Sequence, residues 1–150
     1  YFYAATCLGD FACAYFSQRF KSRKKVLCFF IVGCAILTPV YLYGLNQASL
    51  LAFYIMCGLL GFFTGFWAVF VTTSSEQFGT NIRATVTTTV PNMVRGSLAL
   101  LTAILGLLRF QCHINFIHAL FIVGIIAFAV SLISLNGLDE TYAKDLNYHE

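Results

Sequence analysis

Charge is what this sequence has least of. Asp, Glu, Lys and Arg together make up 10% of its 150 residues, whereas a soluble globular domain carries about 25%. With 59% of residues hydrophobic, a core of this size could not hide the apolar surface from water. Lipid is therefore the expected solvent. Acidic side chains number six, and the long apolar stretches hold no paired carboxylates and no Ser/His/Asp grouping, which argues against a membrane-embedded enzyme and against any cofactor. His113 and His118 are five apart, a poor helical spacing for a shared ion, and no Asp, Glu or Cys set completes a metal site. The six cysteines include no CxxC pair, and five sit in apolar stretches, where a thiol behaves as a small hydrophobe. There is no initiator Met and no charged region of the kind that opens a signal peptide, so the chain reads as a fragment.

What the sequence does have is long oily runs. A bilayer core about 30 Å thick takes roughly 20 helical residues to cross. On that measure the chain divides into spans at about 1–16, 26–45, 50–71, 85–108 and 114–135, the first truncated, followed by a polar tail at 138–150. The fold class is an all-α polytopic membrane protein. Asn136 and Gly137 stop the last span, since glycine and asparagine favour helix ends. Gly58, Gly61 and Gly65 mark the third span, and the last two form a GxxxG that lets a second backbone approach closely. Phe62, Phe63, Phe66 and Trp67 beside them suit packing or interface anchoring more often than a solute path.

The fourth span carries chemistry. Its purely apolar part, Leu98 to Leu108, is too short to cross, so the helix must reach back through Arg95 and Pro91 to a start between Arg83 and Thr89. Thr85, Thr88, Asn92, Arg95, Ala99, Thr102 and Gly106 then fall on one stripe, at alternating steps of three and four, with aliphatic residues opposite. In a membrane, such a face turns toward protein or a water-filled cavity. The competing reading is a lipid-facing helix whose Arg95 snorkels to the surface.

Five of the nine basic residues, Arg19, Lys21, Arg23, Lys24 and Lys25, lie in the first loop. That loop shares a side with Arg83, while the opposite side holds Arg109. The positive-inside rule makes the first side cytoplasmic, together with the tail. The cluster is better read as topogenic than as a nucleic-acid site, the net charge being only +3.

Three segments carry a family resemblance. GDFACAYFSQRFKSRKK, from Gly9 to Lys25, resembles the loop signature S-D-R-x-G-R-R-K of the major facilitator superfamily, matching at Arg19, Arg23 and Lys24, with Gln18 for the aspartate, Lys21 for the glycine and Ser22 for the next arginine. EQFGTNIRAT resembles the E-x-F-P-T-x-x-R pattern of sugar-porter-like members through Glu76, Phe78, Thr80 and Arg83, with Gly79 in place of proline. LDETYAKDL is similar to the strap P-E-T-K-G-x-x-L, retaining Glu140, Thr141 and Leu146, with Asp139 for proline and Ala143 for glycine.

The resemblance implies helices eight to twelve of a twelve-helix fold, the N-terminal half of the same polypeptide being missing. It implies alternating-access transport of a small solute across a plasma or bacterial inner membrane. The solute would be a sugar, polyol or organic anion, with H⁺ or Na⁺ as open choices of coupling ion; a drug or metabolite exporter of the same superfamily is the alternative. A non-transporting structural subunit in the lipid is the alternative of a different class. The implied substrate-binding residues are Arg95, Asn92, Thr88 and Thr102. The implied cytoplasmic gate is a network of Arg19, Arg23, Lys24, Glu76, Arg83 and Glu140, in which Glu76 could reach Arg83 or the arginines of the first loop.

Overall fold

The computed structural model describes residues 1–44 and 49–143, and among these all regular secondary structure is helical. The expected turn at 46–49 and the strap residue Leu146 fall wholly or partly outside the described residues. Six helices follow in order: α1 (Phe2–Arg19), α2 (Arg23–Gly44), α3 (Leu50–Thr64), α4 (Trp67–Glu76), α5 (Arg83–Phe110) and α6 (Phe116–Gly137). Four segments are long and apolar enough to cross a membrane: α2, α3 and α4 taken together as Leu50–Glu76, α5, and α6. Helix α1 is not among them, because Asp10 interrupts its apolar run and Gln18 and Arg19 end it.

Side chains inward of these helices make only a small core, built from Cys13, Val26, Leu27, Phe30, Val69 and Leu135. Phe62 of α3 stacks on Phe30 and Phe63 packs against it at a tilt, with centroids 5.7 and 5.8 Å away, so two of the four aromatics near the glycines serve packing. Much larger apolar side chains point outward, among them Phe11 (78% exposed), Met93 (70%) and Ile133 (71%). Such surfaces are tolerable where lipid or another polypeptide covers them. Helix α5 is the extreme case, with Pro91 its one buried residue.

The closest approach is between α1 and α3. A Cβ on Gly61 would lie 2.4 Å from the Phe2 carbonyl oxygen, one on Gly65 2.5 Å from Thr6 O and Asp10 N, and one on Gly9 2.1 Å from Phe62 O. The GxxxG pair therefore works as a docking notch for the α1 backbone, with Gly9 as its counterpart. Gly58 takes no part, having nothing within 4 Å.

The same crossing interrupts the third span. The Gly65 N–H donates to Phe62 O at 3.1 Å and Phe66 N–H to Thr64 O at 2.9 Å, so the regular ladder lapses before α4 starts at Trp67. The Gly61 carbonyl, without its usual donor four residues on, accepts the Thr64 hydroxyl at 2.8 Å. A continuous span at 50–71 was expected from the apolar run; hydropathy carries no trace of a break made by a neighbouring backbone.

The chain ends of the helices sort into two groups. One holds the α1–α2 loop, the end of α4, the start of α5 and the end of α6, tied by the Arg23–Glu76 ion pair and by Lys24 bonds to the end of α6. The other holds the end of α2 near the start of α6, where Tyr43 meets His118 and Phe121 with centroids 5.8 and 5.5 Å apart.

Candidate functional site

An open groove of about 500 Å³ runs between α4 and α5, lined by Trp67, Ala68 and Val71 on one side and by Thr87, Thr88, Pro91, Asn92 and Arg95 on the other. Three of the four sequence-selected substrate residues, Thr88, Asn92 and Arg95, thus share one wall. Thr102 does not line the groove; its hydroxyl donates to Leu98 O within its own helix at 2.7 Å. Helix α5 starts at Arg83, and its threonines bond backward along the helix. Thr87 donates to Arg83 O at 2.8 Å and Thr88 to Thr85 O at 2.9 Å, which satisfies hydroxyls in an apolar setting.

Arg95 is held in two ways. Its guanidinium carbon sits 5.4 Å from the centroid of Trp67, a cation–π contact, and its Nη1 donates to Asn92 Oδ1 at 3.4 Å. No carboxylate pairs with it among the described residues. Its positive charge is therefore offered to the groove.

Trp67, which the sequence suits to packing or anchoring more than to a solute path, opens α4 directly after the helix break and lines the groove. A residue the sequence does not single out is Asp10 of α1, which accepts the Ala68 N–H at 3.4 Å. A carboxylate there lies against the positive end of the α4 dipole and takes one of the N–H groups that the break leaves without a helical partner. The available signal was an acidic residue inside an oily run beside Gly9, opposite a second small-residue pair.

At one end of the bundle Glu76 pairs with an arginine of the first loop, one of the contacts expected of it. Arg23 Nη2 and Glu76 Oε1 are 2.7 Å apart, the two side chains being 23% and 7% exposed. Arg83 turns into its own loop, where Nη2 donates to Phe78 O at 3.1 Å. Arg19 is exposed at the end of α1 and makes no ion pair among the described residues.

Glu140 and Lys24 cap each other's helices. The Glu140 carboxylate accepts the Ser22 hydroxyl and the Arg23 N–H, the latter at 2.9 Å, and so closes the N-terminus of α2. In return, Lys24 Nζ donates to Asn136 O at 2.7 Å and Leu138 O at 2.9 Å at the end of α6. Anions at helix N-termini and cations at C-termini are both favoured by the dipole. Partial burial alone would raise the Glu140 pKa, but hydrogen bonds from Ser22 and the backbone of Arg23, Tyr142 and Lys24 outweigh it, so the carboxyl titrates below its ordinary range. Gln77 extends the clamp by donating to Asp139 O at 2.8 Å.

The loops that make this clamp use left-handed backbone at two non-glycine residues. Lys21 has φ 51° and Ala143 φ 60°, and these are the two positions where the resembling signatures carry glycine.

No cluster of three or more His, Cys, Asp or Glu side chains that could hold a metal ion occurs among the described residues. Compared with known proteins, the chain matches no family model, no curated sequence and no solved structure.

Proposed function

We propose that this chain forms the second half of a major facilitator-type secondary transporter, moving a small solute by alternating access. The observation that carries this reading is the groove beside Arg95, a guanidinium without a carboxylate partner inside a helix apolar enough to span a membrane. A charge at such depth is costly and marks a solute path by default. The interrupted span beside it gives further support. Irregular backbone within a membrane is tolerated where it is buried in protein or lines a cavity, and transporters use half-helix ends at their binding sites.

On this reading the Arg23–Glu76 ion pair, the Glu140 cap on α2 and the Lys24 bonds to the end of α6 are the cytoplasmic gate, formed in one state and broken in the other. The Lys21 and Ala143 backbones favour the family resemblance, since a signature glycine is needed where φ is positive, and both degenerate copies keep that conformation. Neither catalysis nor a cofactor is part of the proposal.

The test is solute accumulation in vesicles bearing the full polypeptide, measured for wild type and Arg95→Ala. Wild-type accumulation that the substitution abolishes, with the protein still folded, supports the reading. Uptake unaffected by Arg95→Ala removes the groove as the solute path, and the absence of accumulation for any organic solute tried removes transport.

A further inference from the structure

We propose that the solute is an amphipathic organic anion, whose acid group pairs with Arg95 and whose apolar body passes Trp67 into a second cavity; the inference rests on the transport reading above. That second cavity, of about 470 Å³, lies between α2, the interrupted α3–α4 span, Val94 of α5 and α6, and among the described residues Trp67 alone borders both it and the groove. Both volumes fall within the range of small-molecule sites.

The chemistry of the two spaces differs sharply. The groove has a cation at its wall. Among the described residues the second cavity has no charged side chain in its lining and is walled largely by Phe66, Phe70, Phe128 and aliphatic side chains. It also holds six hydroxyls among the described lining residues, five of them committed to their own helices. Thr38 donates to Cys34 O, Thr64 to Gly61 O, Thr73 to Val69 O, Ser74 to Phe70 O and Ser131 to Ala127 O, all between 2.7 and 2.9 Å, which leaves Ser134 as the one donor to spare. A sugar or polyol entering there would bring many hydroxyls to a wall with one uncommitted donor, and its polar groups would lose water without full replacement. An alkyl or aryl body loses nothing of that kind and gains burial. Its acid group is served separately by Arg95, which pairs with no carboxylate among the described residues and can take a bidentate contact.

Position adds to this. Trp67 stands at the first residue of α4, beside the break, so its ring partitions the two spaces at the one place in the span where the helix is not continuous. A ligand reaching from one space to the other touches it.

Trp67 is the single tryptophan of these 150 residues, so in a full polypeptide whose tryptophans elsewhere are replaced by phenylalanine its fluorescence reports on that partition. With the protein in phosphatidylcholine nanodiscs, 6-bromohexanoate should quench Trp67 saturably, at least about tenfold more tightly than neutral 6-bromohexanol. Arg95→Gln should erase the difference between acid and alcohol, and Arg95→Lys should keep part of it. Ser131→Phe, which fills the apolar cavity from α6, should weaken 6-bromohexanoate while sparing 3-bromopropionate, a comparison that stands even if the Arg95 variants fail to fold. Equal quenching by acid and alcohol, non-saturating quenching of the kind produced by partition into lipid, or displacement by a hexose would each overturn the proposal. Failure here with solute accumulation intact in vesicles rejects the substrate class and spares transport. Acid-selective quenching with no accumulation rejects transport and leaves a binding site.

Discussion

Arg23 and Glu76 meet at 2.7 Å although each stands at the unfavourable end of its own helix. Arg23 opens α2 and Glu76 closes α4, so each charge faces like-signed dipole and the pair relieves both. Arg23 Nε and Glu76 Oε2 are buried without hydrogen-bond partners, which makes the pair costly to break and of little net benefit to keep. Glu76→Gln should cost about 3 kcal/mol by leaving Arg23 uncompensated. Replacing both with apolar residues, as in Arg23→Met with Glu76→Leu, should cost less than Glu76→Gln alone. Thermal unfolding in detergent, followed by circular dichroism, measures both. Additive losses in the double variant would contradict this account of the pair.

The α1–α3 notch predicts a sharp contrast among glycines. Alanine at Gly9 or Gly61 would place a methyl carbon within 2.4 Å of a backbone carbonyl oxygen, and backbone cannot swing aside as a flexible side chain can. Each substitution should cost about 1–3 kcal/mol. Gly58→Ala, with nothing within 4 Å, should be neutral or stabilise by up to about 1 kcal/mol through helix propensity. Unfolding midpoints for the three variants should separate into two groups; equal midpoints would mean that α1 does not dock through these glycines.

Lys21 and Ala143 hold left-handed backbone without being glycine. That conformation costs a residue with a Cβ roughly 1–2 kcal/mol, against a smaller entropic penalty for glycine. Lys21→Gly and Ala143→Gly should therefore each raise stability, by roughly 0.5–1 kcal/mol. A lower unfolding midpoint in either would show that the Lys21 or Ala143 side chain contributes more than its backbone loses.

What the sequence made legible was whatever depends on local pattern. The long spans follow from apolar run length, and the stripe of Thr88, Asn92 and Arg95 follows from helical period, so three of its members line one groove. Thr102 lies on the same stripe but farther along α5, beyond the reach of α4; period gives a face, not the length over which a neighbour covers it. Glu76 is expected to meet Arg83 or an arginine of the first loop, and it pairs with Arg23 of that loop; which arginine it takes depends on how α2 and α4 pack. The helix break at Gly65 and the use of Asp10 at the start of α4 were hidden for the same reason. Both are consequences of a backbone crossing that the GxxxG of the third span makes possible without specifying which helix crosses there or where its ladder lapses.

Glu140 makes the clamp sensitive to acid. Its carboxyl has an ordinary value of 4.5 and is lowered in the folded chain, so the folded state binds the proton more weakly than the unfolded one. The contribution to stability is therefore fully present above about pH 4.5 and is lost as pH falls through the lower, folded value. Protonation would weaken a carboxylate that accepts the Ser22 hydroxyl and Arg23 N–H at the N-terminus of α2. Loss of that cap should release residues 139–142 from the start of α2 before the spans themselves unfold, since the spans are also joined by apolar packing that Glu140 takes no part in. Limited proteolysis at Tyr142, followed between pH 6 and pH 3 with an acid-active protease of broad specificity, should show cleavage rising steeply at the acid end. Glu140→Gln should give the fast cleavage at every pH and remove the dependence. A wild-type profile that stays flat, or a Glu140→Gln profile that still rises in acid, would mean that another group holds the strap.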